Sequence, residues 1–272
     1  MNLSMTTDYV DYKDDPALRL RKIADAGFSH VHWCQEWCTD HIYDRDRIDA
    51  IGKYLEENEL ELLDLHAPHG RGLGWGATGG SQRENAIRCI RNRILMTGLL
   101  GGGAVVIHLP ARPPEPVDLP GWRKALRSSL DELLPYCRQN AVRIALENMP
   151  DDDFEEIERL LESYEPDFLG ICYDSGHGNI GRDGLSNLQR NKDRLIAVHF
   201  HDNEGSRDSH SIPFTGTVDW KRLASIIASS SYGGCVSLES NMRGMDVDED
   251  EYLRDAFGAG VRLARMIRRA GE

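Results

Sequence analysis

Ala104-Val-Val-Ile-His108 and Arg143-Ile-Ala-Leu-Glu147 are two short apolar runs, each closing on an imidazole or a carboxylate, and residues 121–140 between them repeat their apolar positions at helical spacing. Neither run is long enough for a helix, and neither alternates strictly between polar and apolar, as expected of strands covered on both faces. The same unit recurs along the chain: candidate strands lie near 2–6, 28–33, 60–66, 103–108, 142–147, 169–174, 195–200 and 234–239, and candidate helices near 16–26, 45–58, 81–100, 121–140, 153–164, 184–191, 218–230 and 249–269. Helix starts are punctuated, for example by Asp15-Pro16 and Pro120-Gly121 ahead of apolar periodicity. Eight such units predict one α/β domain over residues 1–272, a single (β/α)8 TIM barrel. The rival is an open doubly wound sheet, disfavoured because no glycine-rich phosphate fingerprint follows the first strand.

The length of 272 residues fits this reading, being close to the roughly 250 typical of one such barrel. A hydrophobic fraction of 40% with 28% charged residues belongs to a globular chain able to bury a large core. Forty-five acidic against 32 basic residues give a formal charge of −13, which repels polyanions, so nucleic acid is not expected as a partner. No run approaches the roughly 18 apolar residues of a membrane span, and Met1 to Asp15 lacks a basic and apolar leader, so no membrane partner and a cytoplasmic location are expected. The six cysteines are scattered, with Cys89, Cys172 and Cys235 in apolar segments, as for reduced, buried thiols. Cys34 and Cys38 stand close together, but at a spacing foreign to the usual zinc knuckle.

In a barrel of this kind chemistry gathers at the C-terminal ends of the strands, and the longer irregular stretches, 67–80, 109–120, 201–217 and 240–248, all follow strands. The strand ends read His66, His108, Glu147, Asp174, His199 and Glu239. One such residue alone would be unremarkable. Six on consecutive strands would converge in one cleft, and three carboxylates there would repel one another without a cation. An oxygen-rich donor set with one nitrogen suits Mn²⁺, Mg²⁺ or Co²⁺ better than a structural zinc, with Zn²⁺ as the alternative. His177, Asp208 and His210 lie just beyond strands 6 and 7, where they would support the first ligands or hold an extra ion. Trp33, Trp37, Trp75 and Phe214 are candidates for stacking on a substrate face. Schiff-base chemistry is disfavoured, since the six lysines fall in predicted helices or ahead of strands.

The segments Leu65-His-Ala-Pro68, Val106-Ile-His108, Leu146-Glu-Asn148, Cys172-Tyr-Asp-Ser-Gly-His177, Val198-His-Phe-His-Asp202, Asp208-Ser-His210, Gly216-Thr-Val-Asp-Trp220 and Ser237-Leu-Glu239 carry a resemblance in order and spacing over nearly the whole chain. The sequence resembles the xylose isomerase-like TIM barrels, a superfamily of sugar isomerases and epimerases that also contains the endonuclease IV apurinic-site nucleases. For the isomerases and epimerases, the resemblance implies one divalent ion on Glu147, Asp174, His199 and Glu239, with Glu147 and Glu239 as the acid and base pair. His177, and with it His66, His108 and Arg207, would then meet the substrate, a small sugar or polyol ketone such as a ketose, an inositol-derived ketone or a keto-sugar. For the nuclease branch, the resemblance implies three zinc ions on nine ligands, here His66, His108, Glu147, Asp174, His177, His199, Asp208, His210 and Glu239.

Two departures weigh against the nuclease branch. Leu3-Ser-Met-Thr-Thr7 lacks the histidine expected there on the first strand, and the strand-end loops offer a phosphate backbone isolated arginines, Arg71, Arg112, Arg207 and Arg243. Within the sugar branch, strand 2 reads His30-Val-His-Trp-Cys34, where relatives often end on a glutamate, and whether the nearby Glu36 replaces it is left open. The expected activity is therefore isomerisation or epimerisation through an enediolate. Metal-dependent dehydration or lyase chemistry on a related ketone, the apurinic-site phosphodiesterase, and a metal- or sugar-binding barrel without turnover stand as alternatives, and assembly into a homo-oligomer is left open.

Overall fold

Strand β1 (Leu3–Thr6) lies between β2 (His30–Trp33) and β8 (Val236–Leu238), and from β2 the sheet runs through β3 (Glu61–His66), β4 (Ala104–His108), β5 (Arg143–Glu147), β6 (Leu169–Asp174) and β7 (Leu195–His199), every pairing parallel. The circle closes where Phe200, just past β7, bridges Leu238: Phe200 N donates to Ser237 O at 2.8 Å, and Glu239 N donates to Phe200 O at 3.1 Å. These facts come from a computed structural model that describes residues 1–10, 16–110, 112, 118–150, 154–181 and 183–272. Lys13, Asp15, position 153 and most of 111–117, which figured in the expectations above, lie outside the described residues.

The connections carry the helices α1 (Pro16–Asp25), α2 (Arg45–Glu57), α3 (Gly80–Leu99), α4 (Leu119–Asn140), α5 (Phe154–Ser163), α6 (Ser175–Ile180), α7 (Gly184–Asn191), α8 (Trp220–Ala228) and α9 (Glu249–Gly271). Five of them start on an aspartate whose carboxylate accepts a free first-turn amide: Asp44 from Arg47 N, Asp118 from Gly121 N, Asp174 from His177 N, Asp219 from Arg222 N and Asp248 from Glu251 N. The barrel is thus the predicted one. An addition is α6, whose Ser-Gly-His-Gly-Asn-Ile carries no apolar period and which begins because the Asp174 carboxylate accepts from His177 N.

Strand residues divide by parity, because successive side chains leave a strand on opposite faces. Val105, Ile107, Ile144, Leu146, Ile171 and Tyr173 join the large core between strands and helices, whereas Ala104, Val106, Ala145, Cys172 and Ala197 form a small separate cluster. The latter are the inward-facing positions. Most are small, which leaves room along the barrel axis for polar groups from neighbouring strands.

Candidate metal centre

Each strand end delivers the residue expected of it. Glu147, Asp174 and His199 are the last residues of β5, β6 and β7, Glu239 follows β8 by one, and His66 and His108 end β3 and β4. One ligand atom from each of Glu147, Asp174, His199 and Glu239 lies within 4.8 Å of the others, and all four residues are buried. His199 Nδ1 stands between two carboxylates, 3.0 Å from Glu147 Oε1 and 3.1 Å from Glu239 Oε2. Among the described residues the ion pairs of these three carboxylates are with histidine alone.

The electrostatics follow from that packing. Burial opposes charge on Glu147, yet His199, His108 and His66 hold its carboxyl well below the usual range. Burial likewise opposes charge on Glu239, and His199 more than offsets it. Burial pushes the His199 imidazole down, while Cys172, Glu239 and Glu147 together lift it well above its ordinary value. In effect protons on imidazoles stand where a divalent ion would supply the positive charge.

Hydrogen-bond commitments fit such an ion. His66 Nδ1 sits 2.8 Å from Ala67 O, His177 Nδ1 2.9 Å from Asn148 O, and His210 Nδ1 2.7 Å from Glu239 O. An imidazole that donates Nδ1–H to a backbone carbonyl presents its Nε2 lone pair, the usual arrangement around metal-binding histidines. Those Nε2 atoms point at carboxylates: His66 at Glu147 Oε2, 3.3 Å, and His177 and His210 at Asp208 Oδ2, 3.2 and 3.1 Å. His108 Nε2 lies 3.2 Å from Glu147 Oε2 and 3.0 Å from His66 Nε2. The donors present therefore fit a divalent cation.

A description of the xylose isomerase-like TIM barrel matches residues 20–261. The chain belongs to that family. It is 30% identical over 273 aligned residues, 90% of this chain and 87% of the relative, to the uncharacterised protein y4fM of Sinorhizobium fredii. It is 22% identical to the D-psicose 3-epimerase of Ruminiclostridium cellulolyticum over 80% of this chain and 84% of that one. Among solved structures, that of the IOLI protein with a bound zinc atom superposes with a TM-score of 0.79 at 18% identity, covering 99% of each chain.

In this xylose isomerase-like barrel the ligand groups adjoin. His66, His108 and Glu147 form one, and His177, His201, Asp208 and His210 another, on either flank of the central four. His201 went unnamed in the sequence reading; its Nε2 is 2.9 Å from Asp174 Oδ1, and its ring stacks on His210 at 4.0 Å. A cavity of about 110 Å³ opens over the centre, lined among others by Asp8, Trp37, His66, His108, His177, Asn241 and Arg243. At its rim Arg243 Nη2 is held 3.0 Å from Asp8 Oδ2.

Other expectations need correction. Arg207 is exposed and lines a separate depression with Glu204 and Ser209, so it is not brought to the centre. Of the four aromatics, Trp37 alone lines the cavity, 5.5 Å from the His66 ring. Trp33 is in the core bonded to Tyr43, Trp75 donates to His108 O, and Phe214 packs on Trp220. Glu36 is exposed, accepting from Thr39 Oγ1, and does not replace a strand-2 carboxylate. The inward position on β2 belongs to His32.

Proposed function

We propose that the chain is a divalent-metal-dependent isomerase or epimerase of a small sugar or polyol ketone. The observation that carries this reading is the convergence of Glu147, Asp174, His199 and Glu239, buried at the strand ends of a xylose isomerase-like barrel. A divalent ion held by these four would stabilise the negative charge that develops on the oxygens of an α-hydroxy ketone when the neighbouring C–H is ionised. The chain's own residues do the rest. Glu147 and Glu239 approach His199 Nδ1 from two strands and are the candidates to take the proton from the substrate carbon and to return one. His177 reaches the same cavity and would orient a substrate hydroxyl, as would His66 and His108, with Trp37 covering an apolar face of the sugar. Mn²⁺, Mg²⁺ or Co²⁺ suits the oxygen-rich set, and Zn²⁺ finds support in the zinc-bound structural neighbour.

Turnover in D₂O tests the chemistry. The product should carry deuterium on the carbon beside the carbonyl, because a carboxylic acid that returns the proton exchanges with water. Product without deuterium, the substrate's own hydrogen retained, would overturn proton transfer through these glutamates. Either Glu147→Gln or Glu239→Gln should lower turnover by roughly 10²–10⁴-fold, the span usual for acid–base groups.

A second reading has its own observation. The nine residues that match nuclease ligands fall into three adjoining groups, the first and second sharing Glu147 and the third at His177, Asp208 and His210. The net charge of −13, and the tie of the cavity's Arg243 to Asp8, favour the sugar reading. Incision of an abasic duplex by the zinc-loaded protein at physiological salt would reverse the order of the two.

A further inference from the structure

One layer below the proposed ligands, the barrel axis holds a buried pair that neither the strand ends nor the proposed chemistry accounts for. His32 on β2 is fully buried and Asp64 on β3 is 2% exposed, and His32 Nδ1 lies 2.7 Å from Asp64 Oδ1. The pairing depends on a register irregularity between Val31 and His32. Val31 sits opposite Leu62, but His32 sits opposite Asp64 rather than the intervening leucine. Such irregularities re-aim a side chain at the expense of regular pairing, and they recur beside functional sites.

The other edge of the imidazole points upward into the centre. His32 Nε2 has no hydrogen-bond partner, and its acidic neighbour is Glu239 Oε1 at 3.8 Å. The His32 ring lies 4.4 Å from that of His199. The two oxygens of Glu239 are thus divided, Oε2 toward His199 Nδ1 and Oε1 toward His32. A buried polar pair costs desolvation that an apolar pair of similar volume would avoid, which leaves its presence to be explained by what Nε2 faces.

We infer that His32, itself oriented by Asp64, is a positioning residue that fixes the rotamer of Glu239. It thereby holds one carboxylate oxygen toward the ion and keeps the other turned to β2. The inference rests on the metal centre proposed above and adds to it a supporting shell from strands 2 and 3. Outer partners of this kind commonly change metal affinity by roughly 10–100-fold when removed.

The test is Mn²⁺ binding to chelator-treated protein, followed by titration calorimetry, for the wild type, His32→Leu, His32→Gln and Asp64→Asn, each checked for its folded state by near-ultraviolet circular dichroism. His32→Leu and Asp64→Asn should weaken Mn²⁺ binding by roughly 10–100-fold while remaining folded. His32→Gln should retain more of the affinity, because its amide reaches the side that Nε2 occupies. A merely structural histidine would lower the melting temperature and leave the affinity of the folded protein alone, so wild-type affinity in folded His32→Leu overturns the proposal. Should that variant fail to fold, Asp64→Asn, which conserves volume, decides in the same way. A wild type that takes up no divalent ion would fell the metal centre itself and this inference with it. Wild-type uptake matched by the variants would fell the inference alone.

Discussion

Glu147 joins the groups of the centre, since its Oε1 serves His199 and its Oε2 serves His66 and His108. Asp174 does the same on the other flank, accepting His177 N at 2.6 Å and facing His201 Nε2. A residue shared in this way cannot be removed without loosening several neighbours. Asp174→Asn or His199→Ala should therefore weaken metal binding by more than the roughly 10–100-fold that attaches to outer partners, so that the purified variant loses most of its tightly held divalent metal. Elemental analysis of protein exchanged into metal-free buffer checks this; occupancy equal to wild type in either variant would remove the residue from the ligand set.

Short α6 shows how an element and a ligand set one another's position. Gly176 lies against the His201 ring, and a Cβ at that position would overlap it. Gly176→Ala should thus push His201 off Asp174 and destabilise the fold by about 1–3 kcal/mol, as overpacking does, with weaker metal binding. Urea unfolding and Mn²⁺ titration of the variant read the two effects separately. This is also where legibility in the sequence ended. The ligands could be read because each closes an apolar run, so position along the strand and chemical type coincide at His66, His108, Glu147, Asp174 and His199. His32, Asp64 and His201 could not, since their partners come from other strands or loops and, for His32, through an irregular register that no local pattern announces. Arg207 misled for the complementary reason. A loop position fixes neighbours in sequence but not the direction in which a long side chain leaves the backbone.

For the whole molecule the centre is a store of charge that responds to pH. Burial lowers the His177 imidazole, but Asp174, Asp208 and Glu147 raise it to about 10 from an ordinary 6.5. His210 is opposed by burial and raised by Asp208, Glu239 and Asp174, again to about 10. A group raised in the folded state contributes its full stabilisation below the unfolded value, near 6.5, and loses it as pH climbs through about 10. The depressed carboxyls of Glu147, Glu239 and Asp208 contribute above the ordinary carboxylate range and lose that contribution in acid. Melting temperatures of chelator-treated protein should accordingly fall between pH 7 and 10, and the drop should shrink when a divalent ion replaces the protons; a flat profile would contradict the pairing described. His199 stands just before the Phe200 bridge on one side and Glu239 just after Leu238 on the other, so the two proposed ligands straddle the join of β7 and β8, where the wall closes. An ion gripping both would act as a clasp on that seam. Amide hydrogen exchange should then slow at Phe200 and Glu239 on metal loading by a larger factor than at the β3–β4 pairing opposite, and equal protection at the two places would show that the seam stays shut without its clasp.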